Sequence, residues 1–321
     1  HNQQAYAETC AAISNVYWNE RMFLATGDAK YIDVLERALY NGVISGVSLS
    51  GNKFFYDNPL ESCGQHERQP WFGCACCPGN ITRFMASVPG YTYATLNNDV
   101  FVNLYVQSKA NIKVGDKDVE LTQTTHYPWE GSIKLTVNPS QMGMFTLKMR
   151  IPGWARQQPV PTDLYHFAKP LPGNWELTVN GVKVTSPILN GFVAINREWK
   201  CGDVVELVLP MDVQRIQANS NVKDDEGKLA LQRGPMVYCI EGIDQEDQHV
   251  FNKFIPLDAQ FDVQYQPNLL NGVVTIVGKA VELTGGVGSD SDKEVDFKAI
   301  PYSVWNNRGS GEMAVWIASS A

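Results

Sequence analysis

Ser132-Ile133-Lys134-Leu135-Thr136-Val137 and, a little further on, Phe145-Thr146-Leu147-Lys148-Met149-Arg150 alternate apolar and polar side chains with a period of two. A strand points successive side chains to opposite faces, so each segment offers one apolar face to a core and one polar face to water. That is the pattern of an antiparallel sheet covered on one side. Val100-Phe101-Val102-Asn103-Leu104-Tyr105-Val106 has a similar alternation, and Val204-Val205-Glu206-Leu207-Val208-Leu209 and Met236-Val237-Tyr238 continue it. Between Glu176-Leu177-Thr178-Val179 and Val182-Lys183-Val184 stands Asn180-Gly181. This pair tolerates the left-handed backbone of a two-residue hairpin. Short strands separated by turns roughly every ten residues predict antiparallel β-sandwich units from about residue 98 onward.

Upstream of residue 98 the period changes. From Thr9 to Ala25 apolar residues recur at helical spacing (Ile13, Val16, Tyr17, Met22, Phe23), and from Lys30 to Asn41 they do so again (Tyr31, Val34, Leu35, Ala38, Leu39). Gly27-Asp28 between them is a helix stop followed by a helix start, which predicts an antiparallel αα-hairpin. A third helix is expected over Asn80 to Ser87, opened by Pro78 and stopped by Pro89-Gly90. The fold class is therefore α plus β and multidomain, with residues 1–97 helical.

Four of the seven cysteines, Cys10, Cys74, Cys76 and Cys77, lie in two short segments, Glu8-Thr9-Cys10 and Cys74-Ala75-Cys76-Cys77-Pro78. Adjacent cysteines rarely bond to each other because the ring is strained, so Cys76 and Cys77 look outward for a metal or for distant partners. Thiolates with one carboxylate suit Zn2+, and Glu8, Cys10, Cys76 and Cys77 make a four-ligand Cys3Glu set. The spacing matches no standard finger or ribbon. Cys74 is read as a packing residue, because the other four ligands already fill a tetrahedron. Cys201 and Cys239, in strand-like stretches, are read as small buried side chains.

A chain of 321 residues with 44% hydrophobic content can bury more than one core. Its net charge of −8, with scattered Lys and Arg, argues against a nucleic-acid surface. No apolar run approaches a membrane span. Trp129, Trp154, Trp175, Trp199, Trp305 and Trp316, spaced singly, are expected in the core or between domains. His126, His166 and His249 carry no ligand spacing. The acidic runs Lys223 to Glu226 and Ser289 to Glu294 are expected as solvated loops, since neither has the alternation of a calcium loop.

Together with the cysteine segments, Asn19-Glu20-Arg21-Met22-Phe23, Ala38-Leu39-Tyr40-Asn41-Gly42 and Phe55-Tyr56-Asp57-Asn58-Pro59-Leu60 resemble glycoside hydrolase family 127, the β-L-arabinofuranosidases, and the related family 146. Tyr127-Pro128-Trp129, Arg150-Ile151-Pro152-Gly153-Trp154, Gln232-Arg233-Gly234-Pro235 and Ile300-Pro301-Tyr302, followed by Trp305-Asn306-Asn307-Arg308, agree. The resemblance spans nearly the whole chain and is least distinctive over 157–174 and 244–295. It implies that residues 1–97 are the last helices of an (α/α)6 catalytic barrel. It also implies two jelly-roll-like sandwiches, one from 98–145 plus 220–321 and one from 146–219. Family members carry a long helical region before the Glu-x-Cys segment, and this chain starts at His1 without an initiator methionine, so it is expected to be the C-terminal part of a larger enzyme.

The chemistry that follows is likewise implied by the resemblance. The nucleophile is a cysteine, which maps onto Cys76, and the zinc ligands map onto Glu8, Cys10, Cys76 and Cys77. Tyr56 matches a tyrosine beside the bound sugar; Asn58 and Asn80 are weaker candidates. Glu8 is the only carboxylate in the cysteine segments, but a zinc ligand is a poor proton donor. The family's acid/base glutamate lies upstream of the Glu-x-Cys segment, outside this chain. The implied partner is an arabinose-containing oligosaccharide or plant glycan, and the resemblance is to bacterial-type enzymes, cytoplasmic or periplasmic. Two other readings compete: a structural zinc knot on a non-catalytic or carbohydrate-binding remnant, and a thiol redox protein. The second fits poorly, since the run departs from a simple Cys-x-x-Cys.

Overall fold

The computed structural model describes residues 1–170, 173–283 and 292–319. Helix α1 spans Thr9–Thr26 and α2 spans Ala29–Arg37. Gly27 ends α1 in the left-handed conformation, φ 67°, and Asp28 caps α2 by accepting from the Lys30 amide at 3.0 Å. The expected hairpin thus forms with the expected punctuation. The chain then continues as a π-helical turn over Ala38–Val43. Helix α3 spans Cys76–Met85, so it starts four residues before the expected Asn80. Pro78 is its third residue, within the first turn where a missing N–H costs no intrahelical bond. Ile13, Val16, Ile81 and Phe84 are buried between α1 and α3, with Tyr17 edge-on to Phe84 at 5.5 Å.

Among the described residues there are three α-helices, and most of the chain is β-sheet. A six-stranded sheet runs in the order Val182–Lys183, Glu176–Val179, Asp203–Val208, Ser132–Pro139, Lys117–Thr125, Ser108–Val114. It faces a five-stranded sheet ordered Ile188–Leu189, Phe192–Trp199, Gly143–Arg150, Asp99–Val102, Tyr93–Leu96. Val100, Leu121, Leu135, Leu147, Val193, Trp199 and Leu207 fill the space between them, each 0% exposed. The Asn180-Gly181 turn joins its two strands as expected, with both residues at positive φ.

The strand pairing corrects the expected division. Residues 98–145 do not join 220–321, because Ser132–Pro139 pairs with Asp203–Val208 and Asp99–Val102 pairs with Gly143–Arg150. One sandwich therefore takes in the strands between 93 and 208 other than Tyr165–Phe167. A period of two tells which face of a strand is buried, not which strand lies beside it. Downstream, an eleven-stranded sheet links strands from Tyr165–Phe167 to Ile317–Ala318 and takes Glu61–Cys63 at one edge. Lys228–Arg233 pairs with both Val213–Ala218 and Met236–Glu241, while Met236–Glu241 also pairs with Lys293–Pro301. Through Val273–Glu282, Lys253–Phe254 and Ile317–Ala318 the path returns to Lys228–Arg233, so this unit curls into a ring rather than stacking as two flat layers.

A buried charge network joins the helices to the sandwich. Arg150, fully buried, donates from Nη1 to Asp33 at 2.7 Å and from Nη2 to Glu36 at 2.5 Å, both on α2. Tyr127 Oη donates to the same Glu36 carboxylate at 2.8 Å, and Arg156 lies 3.1 Å from Asp33. Burial pushes the Arg150 guanidinium down, but Glu36 and Asp33 outweigh it and hold its pKa above the ordinary value. Arg37 reaches the third unit through Gln232 Oε1 at 2.5 Å.

The remaining expectations divide. Trp154, Trp199, Trp305 and Trp316 are buried, and Trp129 and Trp175 pack against the cores. His126, His166 and His249 are exposed. Cys239 is buried, but Cys201 is exposed, in the turn before Asp203–Val208, and Cys74 is exposed rather than packed. Lys223–Asp225 is a 3-10 turn whose Asp225 is buried and accepts from Asn2 Nδ2 at 2.8 Å, so that run is not wholly solvated. Of the second run, Lys293 and Glu294 lie in a strand, whereas Ser289 to Ser291 lie outside the described residues. No helix among the described residues is long and apolar enough to cross a membrane.

Candidate metal and catalytic centre

The four predicted ligands come from the N-termini of two helices. Glu8 is the residue before α1 and Cys10 is the second residue within it; Cys76 and Cys77 open α3. Both helix starts set the positive end of the helix dipole beside the ligands, which favours carboxylate and thiolate. Residues 55–58 hold the start of α1, and the Cys77 thiol at the start of α3 reaches Tyr56 O at 3.8 Å. Thr9 N donates to Tyr56 O at 2.9 Å, and Thr9 Oγ1 donates to Phe55 O at 3.0 Å. Asn58 donates to Thr9 Oγ1 and to Ala7 O, each at 3.0 Å. Gly46 lies over this point, where a Cβ would come 2.5 Å from Thr9 Cγ2.

The donor atoms of Glu8, Cys10, Cys76 and Cys77 lie within 4.8 Å of one another. Cys10 Sγ is 3.4 Å from Cys77 Sγ, Cys76 Sγ is 3.7 Å from Cys77 Sγ, and Cys76 Sγ is 3.6 Å from Glu8 Oε1. A tetrahedral zinc ion with Zn–S bonds of about 2.3 Å sets its sulfur ligands about 3.8 Å apart, so the residues fit the ion they were expected to hold. Asn80 Nδ2 donates to Cys10 Sγ at 2.9 Å, while its Oδ1 accepts from Arg83. This second contact orients the amide, and Asn80→Ala should weaken metal affinity by about tenfold or more, measured by competition with a chelating dye.

The three thiols differ. Cys77 is fully buried and its thiol is pushed far up, by burial first and then by its bonds to Cys10 and Cys76. Burial also raises Cys10, against the opposing effect of Asn80. Cys76 is half-buried; burial pushes it up, but hydrogen bonds from Tyr56, Cys10, Cys77 and Cys74 outweigh that and lower it. Cys76 is thus the thiol that ionises most readily before any metal binds.

Tyr56 lies beside the cluster, its phenol interacting with Cys76 and its ring 6.4 Å from that of Tyr6, with Phe72 edge-on at 5.5 Å. Interaction with the Cys76 thiol raises the Tyr56 phenol well above its ordinary value. The sequence reading missed Tyr6, which reaches both Tyr56 and Glu8, and the contact of Cys74 with Cys76. Position two residues before Glu8 was the available signal for Tyr6.

Three models of one family match in series: the GH127 β-L-arabinofuranosidase catalytic domain over residues 1–90, the middle domain over 99–211 and the C-terminal domain over 213–318. The chain belongs to glycoside hydrolase family 127. It is 33% identical to a non-reducing end β-L-arabinofuranosidase of Bifidobacterium longum subsp. longum, an alignment that takes in 98% of this chain and 49% of that protein. It superposes on a solved GH127 β-arabinofuranosidase with a TM-score of 0.95 at 47% identity, over 98% of this chain and 50% of the other. A GH127 β-L-arabinofuranosidase of Geobacillus stearothermophilus T6 superposes with a TM-score of 0.88 at 43% identity, over 99% and 51%. This family 127 chain therefore spans about half the length of these relatives.

Proposed function

We propose that this chain carries the nucleophile and the metal ligands of a retaining β-L-arabinofuranosidase, which releases terminal β-L-arabinofuranosyl units from an arabinose-containing glycan. The observation that carries the reading is the convergence of one carboxylate and three thiols at two helix starts, with the most acidic thiol, Cys76, the more open of the adjacent pair. On this reading α1 to α3 are the last helices of an (α/α)6 barrel, and the general acid lies outside residues 1–321.

Cys76 Sγ attacks the anomeric carbon from the face opposite the leaving oxygen. A carbon–sulfur bond forms as the carbon–oxygen bond breaks, and the leaving oxygen takes a proton from the acid. Water then displaces the sulfur from the other face, giving its proton to the conjugate base of that acid and returning Cys76 as thiolate, and two inversions leave the configuration retained. Glu8, Cys10, Cys76 and Cys77 would hold Zn2+, which when bound keeps these sulfurs ionised at neutral pH. Tyr56 donates to Cys76 and so orients the sulfur, leaving Tyr6 to hold Tyr56 and Glu8 in register. A purely structural zinc knot would enclose every sulfur, whereas Cys76 stays half open.

An activated aryl β-L-arabinofuranoside tests this, because a phenolate of low pKa departs without protonation and the missing acid then matters little. One zinc per chain, turnover of that substrate, its loss on chelation and a pentosyl adduct on Cys76 by mass spectrometry are the expected results. A fully thiol-reactive, zinc-free protein would overturn the proposal. Tyr56→Phe removes one hydrogen bond to a charged sulfur and should lower kcat/KM by about 10- to 100-fold while leaving the zinc content at one.

A further inference from the structure

The Gln232-Arg233-Gly234-Pro235 run takes no part in the cysteine centre, yet its arginine is placed with unusual chemistry. Arg233 stands opposite Val213 in the pairing of Lys228–Arg233 with Val213–Ala218, and Arg215 stands opposite Leu231. Diagonal neighbours two residues apart share one face of a sheet, so the two arginine stems leave the same side. Both line a cavity of about 500 Å³ with Met211, Val213 and Phe261, and Lys169 lies on its wall.

Each guanidinium is tethered at one end. Arg215 donates from Nη2 to Ala259 O and lies 4.2 Å over the Phe261 ring; Arg233 donates from Nη1 to Trp129 O at 2.8 Å. The Nε–H of each is buried and without a partner. Neither pairs with a carboxylate within 4.0 Å among the described residues. Asp258 and Asp212, both exposed on the same cavity, act on them only through space. Burial lowers both guanidiniums below their ordinary value, and neither Asp258 beside Arg215 nor Tyr238 and Asp212 beside Arg233 restores them. In a chain with eight excess negative charges, two half-buried guanidiniums thus face one cavity without an ion pair among the described residues. A guanidinium that has lost part of its water gains from a counter-charge placed in the space beside it.

We infer that this cavity is a second, non-catalytic site that binds the carboxylate of a uronic acid residue through Arg215 and Arg233. A planar carboxylate matches the guanidinium fork, and Met211 and Val213 give the C–H face of a sugar ring an apolar wall. The choice of a sugar carboxylate over a free anion rests on the proposed glycan activity. The site would hold an acidic glycan while its arabinofuranosyl ends are trimmed elsewhere.

Titration calorimetry with galacturonate, galactose and inorganic phosphate at matched ionic strength tests this, using the wild-type chain and its Arg215→Gln, Arg233→Gln and Arg233→Lys variants. Saturable galacturonate binding, no galactose binding, weaker phosphate binding and a loss of about tenfold or more in both Gln variants are expected. Arg233→Lys keeps the charge and should lose less than Arg233→Gln. Equal affinity for galactose, phosphate binding as tight as galacturonate, or unchanged affinity in variants with native circular dichroism would each overturn the inference. None of the probes is an arabinofuranoside, so a failed glycosidase assay leaves this result standing, and the reverse holds too.

Discussion

Cys76→Ser is expected to abolish turnover of an activated aryl β-L-arabinofuranoside, lowering kcat by roughly 10⁴-fold or more, the scale on which hydrolases respond to loss of their nucleophile. Serine places an oxygen where the sulfur stood, but its hydroxyl keeps its proton at neutral pH, and zinc holds hydroxyl less well than thiolate. Zinc content should fall as well, since Cys76 Sγ is one of four donors within 4.8 Å of each other. Cys10→Ala separates the two effects. It removes a ligand but leaves the nucleophile, so it should lose metal and retain a Cys76 that alkylating reagents label. Wild-type kcat in Cys76→Ser would end the assignment, whatever its metal content.

Arg150→Met should destabilise the protein by about 3–5 kcal/mol, read as a lower midpoint in urea. The substitution fills most of the volume but strands Glu36, whose side chain is 1% exposed, and leaves Asp33 with Arg156 alone. The cost comes from the carboxylates left behind, not from the lost attraction. Arg150→Met combined with Glu36→Gln should therefore recover a large part of the loss, and a double variant no more stable than the single one would refute that account. Because Asp33 and Glu36 sit on α2, which packs on α1, the single variant should also loosen the Glu8 and Cys10 end of the metal centre.

Much of the candidate site is readable in the sequence alone. Cys76 and Cys77 cannot readily bond to each other, so their adjacency asks for a metal, and Glu8-Thr9-Cys10 is short enough to offer both of its donors from one helix start. The contributions of Asn80, Tyr6 and Cys74 were less readable. The Asn80 amide reaches Cys10 only because α3 begins at Cys76 and lies against α1, which brings residues 70 positions apart within 2.9 Å. Cys74 looked like a packing residue because the ligand set was already complete, and its exposure depends on where the chain enters α3.

By itself, the sequence determined where helices give way to strands, the hairpin at Asn180-Gly181, the buried tryptophans and a set of four residues able to hold a metal. These are local matters, settled by side-chain period, backbone preference and ligand chemistry. Only the tertiary structure decided that the strands between 93 and 208 other than Tyr165–Phe167 form one sandwich, that the last strands curl into a ring, and that Arg150 ties that sandwich to α2. Alternation names the buried face of a strand and leaves its neighbour open, because backbone N–H and C=O groups pair equally well with any strand. The choice among partners falls to the long-range packing of Trp199, Leu147 and Leu207 and to the few buried charges that must meet.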